Sequence, residues 1–205
     1  MPARLRLALF VSGLLAVTAI AGVLLFAVGE KAVPSAAGFA GASRPPDMPR
    51  ADFGVRDERG RMLRLSEMRG KPVVVTFLYT TCKDTCPLTA DQIRIALDDV
   101  GHDVPVVAVS VDPKNDTAQR ARAFLLDHGL QGRMRWALGS PAQLQRLWKA
   151  YAIEPQSEDS EHTASTILLD RRGVQRVGFA ASVLTPDGLA HDIAKLEREG
   201  RRPAT

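Results

Sequence analysis

The sequence predicts an α/β domain with a mixed sheet flanked by helices, preceded by one N-terminal transmembrane helix. Two apolar, β-branched runs at residues 72–79 and 104–111 are typical of strands buried on both faces. Segments with helical spacing of apolar residues follow both runs, which indicates strands alternating with helices. An uncharged, largely apolar run at residues 7–28 precedes all of these elements.

The run at residues 7–28 is long enough to span a bilayer, because a helix needs about 20 residues to do so. Arg4 and Arg6 precede it, and basic residues stay cytoplasmic, so the rest of the chain is expected outside. A cleaved signal peptide is the alternative, although its apolar core is usually about 7–15 residues. The short basic lead-in does not match an organelle import signal. We therefore expect a single-pass protein of the bacterial plasma (inner) membrane, with a periplasmic soluble domain.

Composition predicts the domain boundaries. We expect a membrane anchor over residues 1–31, a linker rich in Ala, Gly, Ser and Pro over 32–51, a folded domain over 52–199 and a tail over 200–205. The first 31 residues hold three basic and one acidic side chain, out of 27 and 23 in the chain. The remainder is nearly balanced in charge, so the net charge of +4 does not indicate nucleic-acid binding.

Turn and cap signals place the elements of the domain in order. A hairpin around Gly60 is expected within residues 52–65, because glycine allows positive φ at its tip. After the strand at 72–79, a helix is expected over 87–100, and Asp116 or Thr117 can cap the helix that follows the strand at 104–111. Ser140 and Pro141 open a further helix. The remaining expected elements are a short strand at 133–138, a hairpin at 163–179 and a final helix at 186–199.

Cys82 and Cys86 are the only cysteines, and they lie between the first buried strand and a helix. Thiols at this spacing can face one partner, which is either each other, as a disulfide, or a soft metal ion. Free amide groups at a helix N-terminus favour the thiolate form. A structural disulfide would close a very short loop, and redox pairs usually have two intervening residues rather than three. Two thiolates and an imidazole suit a soft ion of low coordination number, with copper the leading candidate.

One of the four histidines is the best candidate for that imidazole. His162 follows an acidic loop at residues 154–161 and precedes a predicted strand. His102, His128 and His191 have a simpler interpretation as surface residues at helix ends or on a helix. Position alone leaves His162 open as either a ligand or an ordinary loop residue.

The sequence resembles the SCO/SenC family of copper-binding, thioredoxin-like membrane proteins. The resemblance rests on the run at residues 70–77, the Cys-Lys-Asp-Thr-Cys-Pro motif at 82–87, the Ser-Val-Asp-Pro-Lys-Asn-Asp-Thr stretch at 110–117 and His162. It implies that Cys82, Cys86 and His162 bind copper in both the cuprous and the cupric state. It further implies that Asp84 and Asp112 fix the loop and tune the charge around the site.

The family pattern differs at two places. Lys83 stands where the family often has proline, and Glu161 and Thr163 flank His162 where the family usually has Asp and Ser. The positive charge of Lys83 favours thiolate at its neighbours.

The resemblance implies a copper chaperone rather than an enzyme. Such a protein would deliver copper to the dinuclear copper centre of a cytochrome c oxidase subunit, and other copper or thiol-redox proteins of that compartment are further expected partners. Anchoring would raise its effective concentration near a membrane-bound acceptor. The alternatives are a thiol–disulfide reductase, which needs Cys82 and Cys86 but not His162, and a thiol peroxidase with a low-pKa cysteine and a resolving partner.

Overall fold

The computed structural model describes residues 38–50, 52–155 and 165–201. All of them fall within the compact unit Pro34–Thr205. No helix in these ranges is long and apolar enough to cross a membrane. The apolar run at residues 7–28 and the loop that contains His162 lie outside the described residues.

A six-stranded mixed sheet and a separate two-stranded hairpin form the β-structure. The strands are β1 (Ala42–Ser43), β2 (Gly54–Arg56), β3 (Met62–Arg64), β4 (Val73–Leu78), β5 (Val106–Ser110), β6 (Met134–Ala137), β7 (Ser165–Leu169) and β8 (Gln175–Ala180). The large sheet has the order β1-β8-β7-β4-β5-β6, and β2 pairs with β3. Strand β4 runs parallel to β5 and antiparallel to β7, so it lies at the centre of the sheet.

Helices cover both faces of the sheet. They are α1 (Thr85–Val100), α2 (Ala118–Asp127), α3 (Pro141–Tyr151) and α4 (Pro186–Arg201), with short 3₁₀ helices at Leu65–Met68 and Ala181–Val183. Successive side chains of β4 point to opposite faces. Val74 and Leu78 pack with α1, α2 and α4, whereas Val75 and Phe77 pack with α3 and the β2–β3 hairpin. This double burial explains why β4 is a continuous apolar run.

The turn and cap predictions are confirmed at several positions. Gly60 has φ of 75° at the tip of the β2–β3 hairpin. The side chain of Thr117 accepts the N–H of Arg120, and Ser140 forms a reciprocal capping box with Gln143. Helix α1 begins at Thr85, two residues before the expected start at residue 87, so the second cysteine lies inside its first turn.

The folded domain begins earlier than residue 52, because part of the expected linker is packed against it. Phe39 is only 2% exposed, and β1 pairs antiparallel with β8. The buried carboxylate of Asp192 accepts the N–H groups of Ala40 (2.8 Å) and Gly41 (3.0 Å). A Cβ atom on Gly41 would lie 2.5 Å from the side chain of Val177. The small residues that suggested a linker here instead permit close packing.

Candidate metal centre

The two cysteines meet at the C-terminal end of β4. Strand β4 ends at Leu78, and residues 79–84, called here the cysteine loop, lead into α1. Cys82 is half-buried in this loop, and Cys86 is fully buried in the first turn of α1. The N–H of Cys86 donates to Cys82 Sγ at 3.2 Å, and both thiols are free. The entry of the chain into α1 therefore brings the two thiols close together, as their spacing predicted.

The two thiols have opposite pKa shifts. Burial raises the pKa of Cys82, but hydrogen bonds from the N–H of Cys86, the Cys86 thiol, the N–H of Asp84 and the Tyr79 side chain together lower it below its usual value. Burial raises the pKa of Cys86 well above its usual value, and the nearby Cys82 and Asp116 charges add to this shift. Cys82 is thus the accessible group that ionises first, whereas Cys86 keeps its proton.

The two aspartates expected around the site have different surroundings. Asp84 is the N-cap residue of α1, but its side chain makes no capping hydrogen bond, and its backbone N–H is directed at Cys82. Asp112 organises the turn after β5. Its carboxylate accepts the N–H of Asn115 (3.3 Å) and the Asn115 side-chain amide (2.7 Å). Asp112 therefore fixes this neighbouring turn through contacts outside the cysteine loop.

Asp116 was considered as a helix cap in the sequence, yet it links that turn to the cysteine loop. It is 7% exposed, and its Oδ1 accepts both the N–H and the hydroxyl of Thr80, each at 2.7 Å. Its Oδ2 accepts the hydroxyl of Ser110 at 2.5 Å. Burial raises the pKa of Asp116 by more than these hydrogen bonds lower it. The sequence showed Asp116 as a possible cap and as part of the 110–117 stretch, but the link to Thr80 depends on β4 and β5 being neighbours.

The three described histidines each lie against a helix carboxylate. The pairs are His102 with Glu197 (3.3 Å), His128 with Asp91 (3.0 Å) and His191 with Asp192 (2.8 Å). The side chains of His102 and His191 are exposed, as expected, whereas that of His128 is largely buried. Residues 38–50, 52–155 and 165–201 contain no group of three or more His, Cys, Asp or Glu side chains that could hold a metal ion. His162 lies outside these ranges.

The model of the SCO1/SenC family matches residues 42–198 of this sequence. The chain belongs to the SCO1/SenC family. Among SCO1/SenC relatives, Protein SenC of Rhodobacter capsulatus is 27% identical over 166 residues, which cover 74% of each chain. The Arabidopsis thaliana mitochondrial SCO1 homolog 1 is 28% identical over 115 residues, which cover 53% of this chain and 34% of that protein. The Bos taurus mitochondrial SCO2 homolog is 25% identical over 170 residues, 78% of this chain and 59% of that protein. The chain thus spans only part of the length of these two mitochondrial relatives.

Solved SCO1/SenC structures share the fold. Bradyrhizobium japonicum ScoI, determined with copper bound, is 27% identical, with a TM-score of 0.61 over 71% of this chain and 98% of that chain. Yeast Sco1 is 18% identical, with a TM-score of 0.65 over 78% of this chain and all of that chain, and this likeness concerns the fold alone. The expected thioredoxin-like mixed sheet flanked by helices is confirmed.

Proposed function

We propose that this SCO1/SenC chain is a copper chaperone that holds copper through Cys82, Cys86 and His162. The adjacent pair of free thiols is the observation on which the proposal rests. Thiolates are soft ligands that select cuprous copper, and an imidazole extends the set to cupric copper. The copper-bound structure of B. japonicum ScoI, a relative with 27% identity, supports copper as the cargo.

The unequal thiols suit binding followed by release. Cys82 ionises first and is accessible, whereas Cys86 must lose its proton when a metal binds, so copper uptake should release protons. A thiolate from a partner would approach from the Cys82 side, because Cys86 is fully buried. Ligand exchange can therefore begin at one exposed sulfur while the second sulfur still holds the ion.

The position of β7 supports His162 as the third ligand. The carbonyl of Ser165, the first residue of β7, is 3.5 Å from the hydroxyl of Thr76 near the end of β4. His162 is three residues before Ser165, and three residues of chain span at most about 10 Å. His162 is therefore within reach of the end of β4, where the cysteine loop begins.

The acceptor in this proposal is the dinuclear copper centre of a cytochrome c oxidase subunit. Residues 1–31 act as an uncleaved anchor in the bacterial plasma membrane, with the N-terminus cytoplasmic and the domain periplasmic. The sequence pattern of basic residues before an apolar run supports this orientation. A tethered donor meets a membrane-bound acceptor at high effective concentration, so modest affinity between the proteins suffices.

Copper stoichiometry and affinity of the reduced full chain test the ligand set. We expect one copper ion per wild-type chain by metal analysis. Competition with a cuprous chelator measures the affinity of each variant. His162→Ala should weaken binding by more than the roughly 10–100-fold that loss of an outer contact costs. His102→Ala, which removes an exposed imidazole paired with Glu197, is the matched control and should bind normally. Unchanged affinity in the His162→Ala variant would contradict the three-ligand proposal.

A thiol–disulfide reductase is the second candidate, and the opposite thiol pKa shifts favour it. The Cys82 thiolate would attack a substrate disulfide and form a mixed disulfide, and Cys86, once deprotonated, would displace the reduced substrate. The chain would be left with a Cys82–Cys86 disulfide and the substrate with two thiols. Disulfide turnover that persists in His162→Ala, in a chain that binds no copper, would favour this function over copper delivery.

A further inference from the structure

We propose that Asp116 is a positioning residue for the copper site, because its buried carboxylate ties the cysteine loop to the connection between β5 and α2. Asp116 acts through Thr80, two residues before Cys82, and is not itself a ligand in this proposal. The inference rests on the proposed copper binding. It adds a residue that holds the two thiols in place.

The tether holds the cysteine loop where that loop leaves the sheet. Both the backbone N–H and the hydroxyl of Thr80 donate to the Asp116 carboxylate, so the backbone position and the side-chain orientation of Thr80 are both fixed. The adjacent carbonyl of Tyr79 accepts the N–H of Cys82 at 3.4 Å. Anchoring Thr80 therefore restrains the short backbone segment that carries Cys82 to the N–H of Cys86.

The other end of the tether is rigid. The N–H of Asp116 donates to the carbonyl of Asp112 at 2.9 Å, which closes the turn after β5. The next residue, Thr117, caps α2, and the hydroxyl of Ser110 in β5 holds the second carboxylate oxygen. The loop is thus attached to an interior strand of the sheet and to a capped helix.

The chemistry of the donors allows the tether to be separated from the charge. Within the part of the chain that the structure describes, the three hydrogen bonds to this carboxylate come from neutral groups, so no cation is among its donors there. An asparagine could accept both Thr80 donors with its oxygen and donate its amide to Ser110. Asp116→Asn therefore keeps the link and removes the charge, whereas Asp116→Ala removes both.

The test compares variants of the reduced full chain by cuprous affinity, by the thiolate-to-copper charge-transfer band of the cupric form, and by hydrogen exchange at the amides of residues 80–86. We expect Asp116→Ala to weaken copper binding by about 10–100-fold, to shift the band and to speed exchange. Asp116→Asn should restore affinity to within about threefold of wild type, because it keeps the hydrogen bonds to Thr80. If the charge mattered instead of the hydrogen bonds, Asp116→Asn would bind as weakly as Asp116→Ala.

Two further variants decide the matter if Asp116→Ala does not fold. Thr80→Val keeps the branched shape but removes the hydroxyl donor in the cysteine loop, and it should weaken copper binding. Thr80→Ser keeps both the N–H and the hydroxyl that donate to Asp116, and it should bind nearly as the wild type does. Equal affinity of these two variants would overturn the proposal.

Two results with the Asp116 variants would also overturn it. One is wild-type affinity and exchange in Asp116→Ala, and the other is Asp116→Asn binding as weakly as Asp116→Ala. Failure of the wild type to bind copper contradicts the proposed function instead. In that case, faster exchange of residues 80–86 in Asp116→Ala than in Asp116→Asn still supports the tether, and equal exchange rejects it.

Discussion

Replacing Asp192 by alanine should strongly destabilise the domain, because the Asp192 carboxylate holds the N-terminal segment against α4. The side chain is fully buried and accepts the N–H groups of Ala40 and Gly41. Hydrogen bonds to a charged group contribute about 1.5–3 kcal/mol each. The bond from Ala40 is only partly buried, so its N–H can regain water, and we expect a loss of about 3–4 kcal/mol. This is a large part of the roughly 5–15 kcal/mol that stabilises a typical domain.

Urea unfolding of the full chain, followed by tryptophan fluorescence, measures this loss. Trp136 is fully buried and Trp148 is 8% exposed, so both report on the core. With a urea dependence of about 2 kcal/mol per molar, the midpoint should fall by about 1.5–2 M in Asp192→Ala. Asp99→Ala, which removes an exposed carboxylate from α1, should change the free energy of unfolding by less than about 0.5 kcal/mol. Equal midpoints for the two variants would refute the idea that the segment folds as part of the domain.

Three further predictions follow from the same structure. Limited alkylation near neutral pH should modify Cys82 well before Cys86, since the pKa of Cys82 is lowered and that of Cys86 is raised, and mass spectrometry of the labelled peptides would show the order. Gly41→Ala should lower the free energy of unfolding by about 1–3 kcal/mol through overpacking against β8. Gly54→Ala should be nearly neutral, because the nearest described atoms would lie 3.7 Å from its new Cβ, and the urea midpoints of the two variants test this difference. Burial raises the pKa of Asp57, but hydrogen bonds from arginine residues lower it by more, so the folded pKa is below the unfolded value near 3.9. The stabilisation by its carboxylate is therefore present above the unfolded pKa and is lost as pH falls through the folded pKa. Acid titrations of stability should therefore be flatter below about pH 4 in Asp57→Asn than in the wild type, and parallel curves would contradict this assignment.

The sequence predicted features whose cause is local. The doubly buried run of β4 is visible because every side chain in it is apolar or β-branched. The caps at Thr117 and Ser140 are visible because a short polar side chain satisfies free amides three residues ahead. The contact between Cys82 and Cys86 follows from their separation of four residues across the start of α1. In each case the interacting groups are close in sequence, so pattern alone is informative.

Features that depend on contacts between distant residues were missed. Strand β1 has only two residues, and its Ala-Ser sequence has no strand pattern, so only its pairing with β8 defines it. Asp192 lies far along the chain from the N–H groups that it accepts. The link between Asp116 and Thr80 likewise requires β4 and β5 to be neighbours. His162 remains a prediction, because its loop lies outside the described residues.

Both edges of the large sheet have short strands, and this limits how a partner can bind. One edge is the two-residue strand β1, and the other is the four-residue strand β6, next to which Leu138 donates its N–H to the carbonyl of Arg56. Short or covered edges are poor templates for β-augmentation, in which a peptide extends a sheet through backbone hydrogen bonds. A partner that docks near the thiols would therefore bind through side chains of the surrounding loops, and substitutions in those loops could change its affinity without disturbing the sheet.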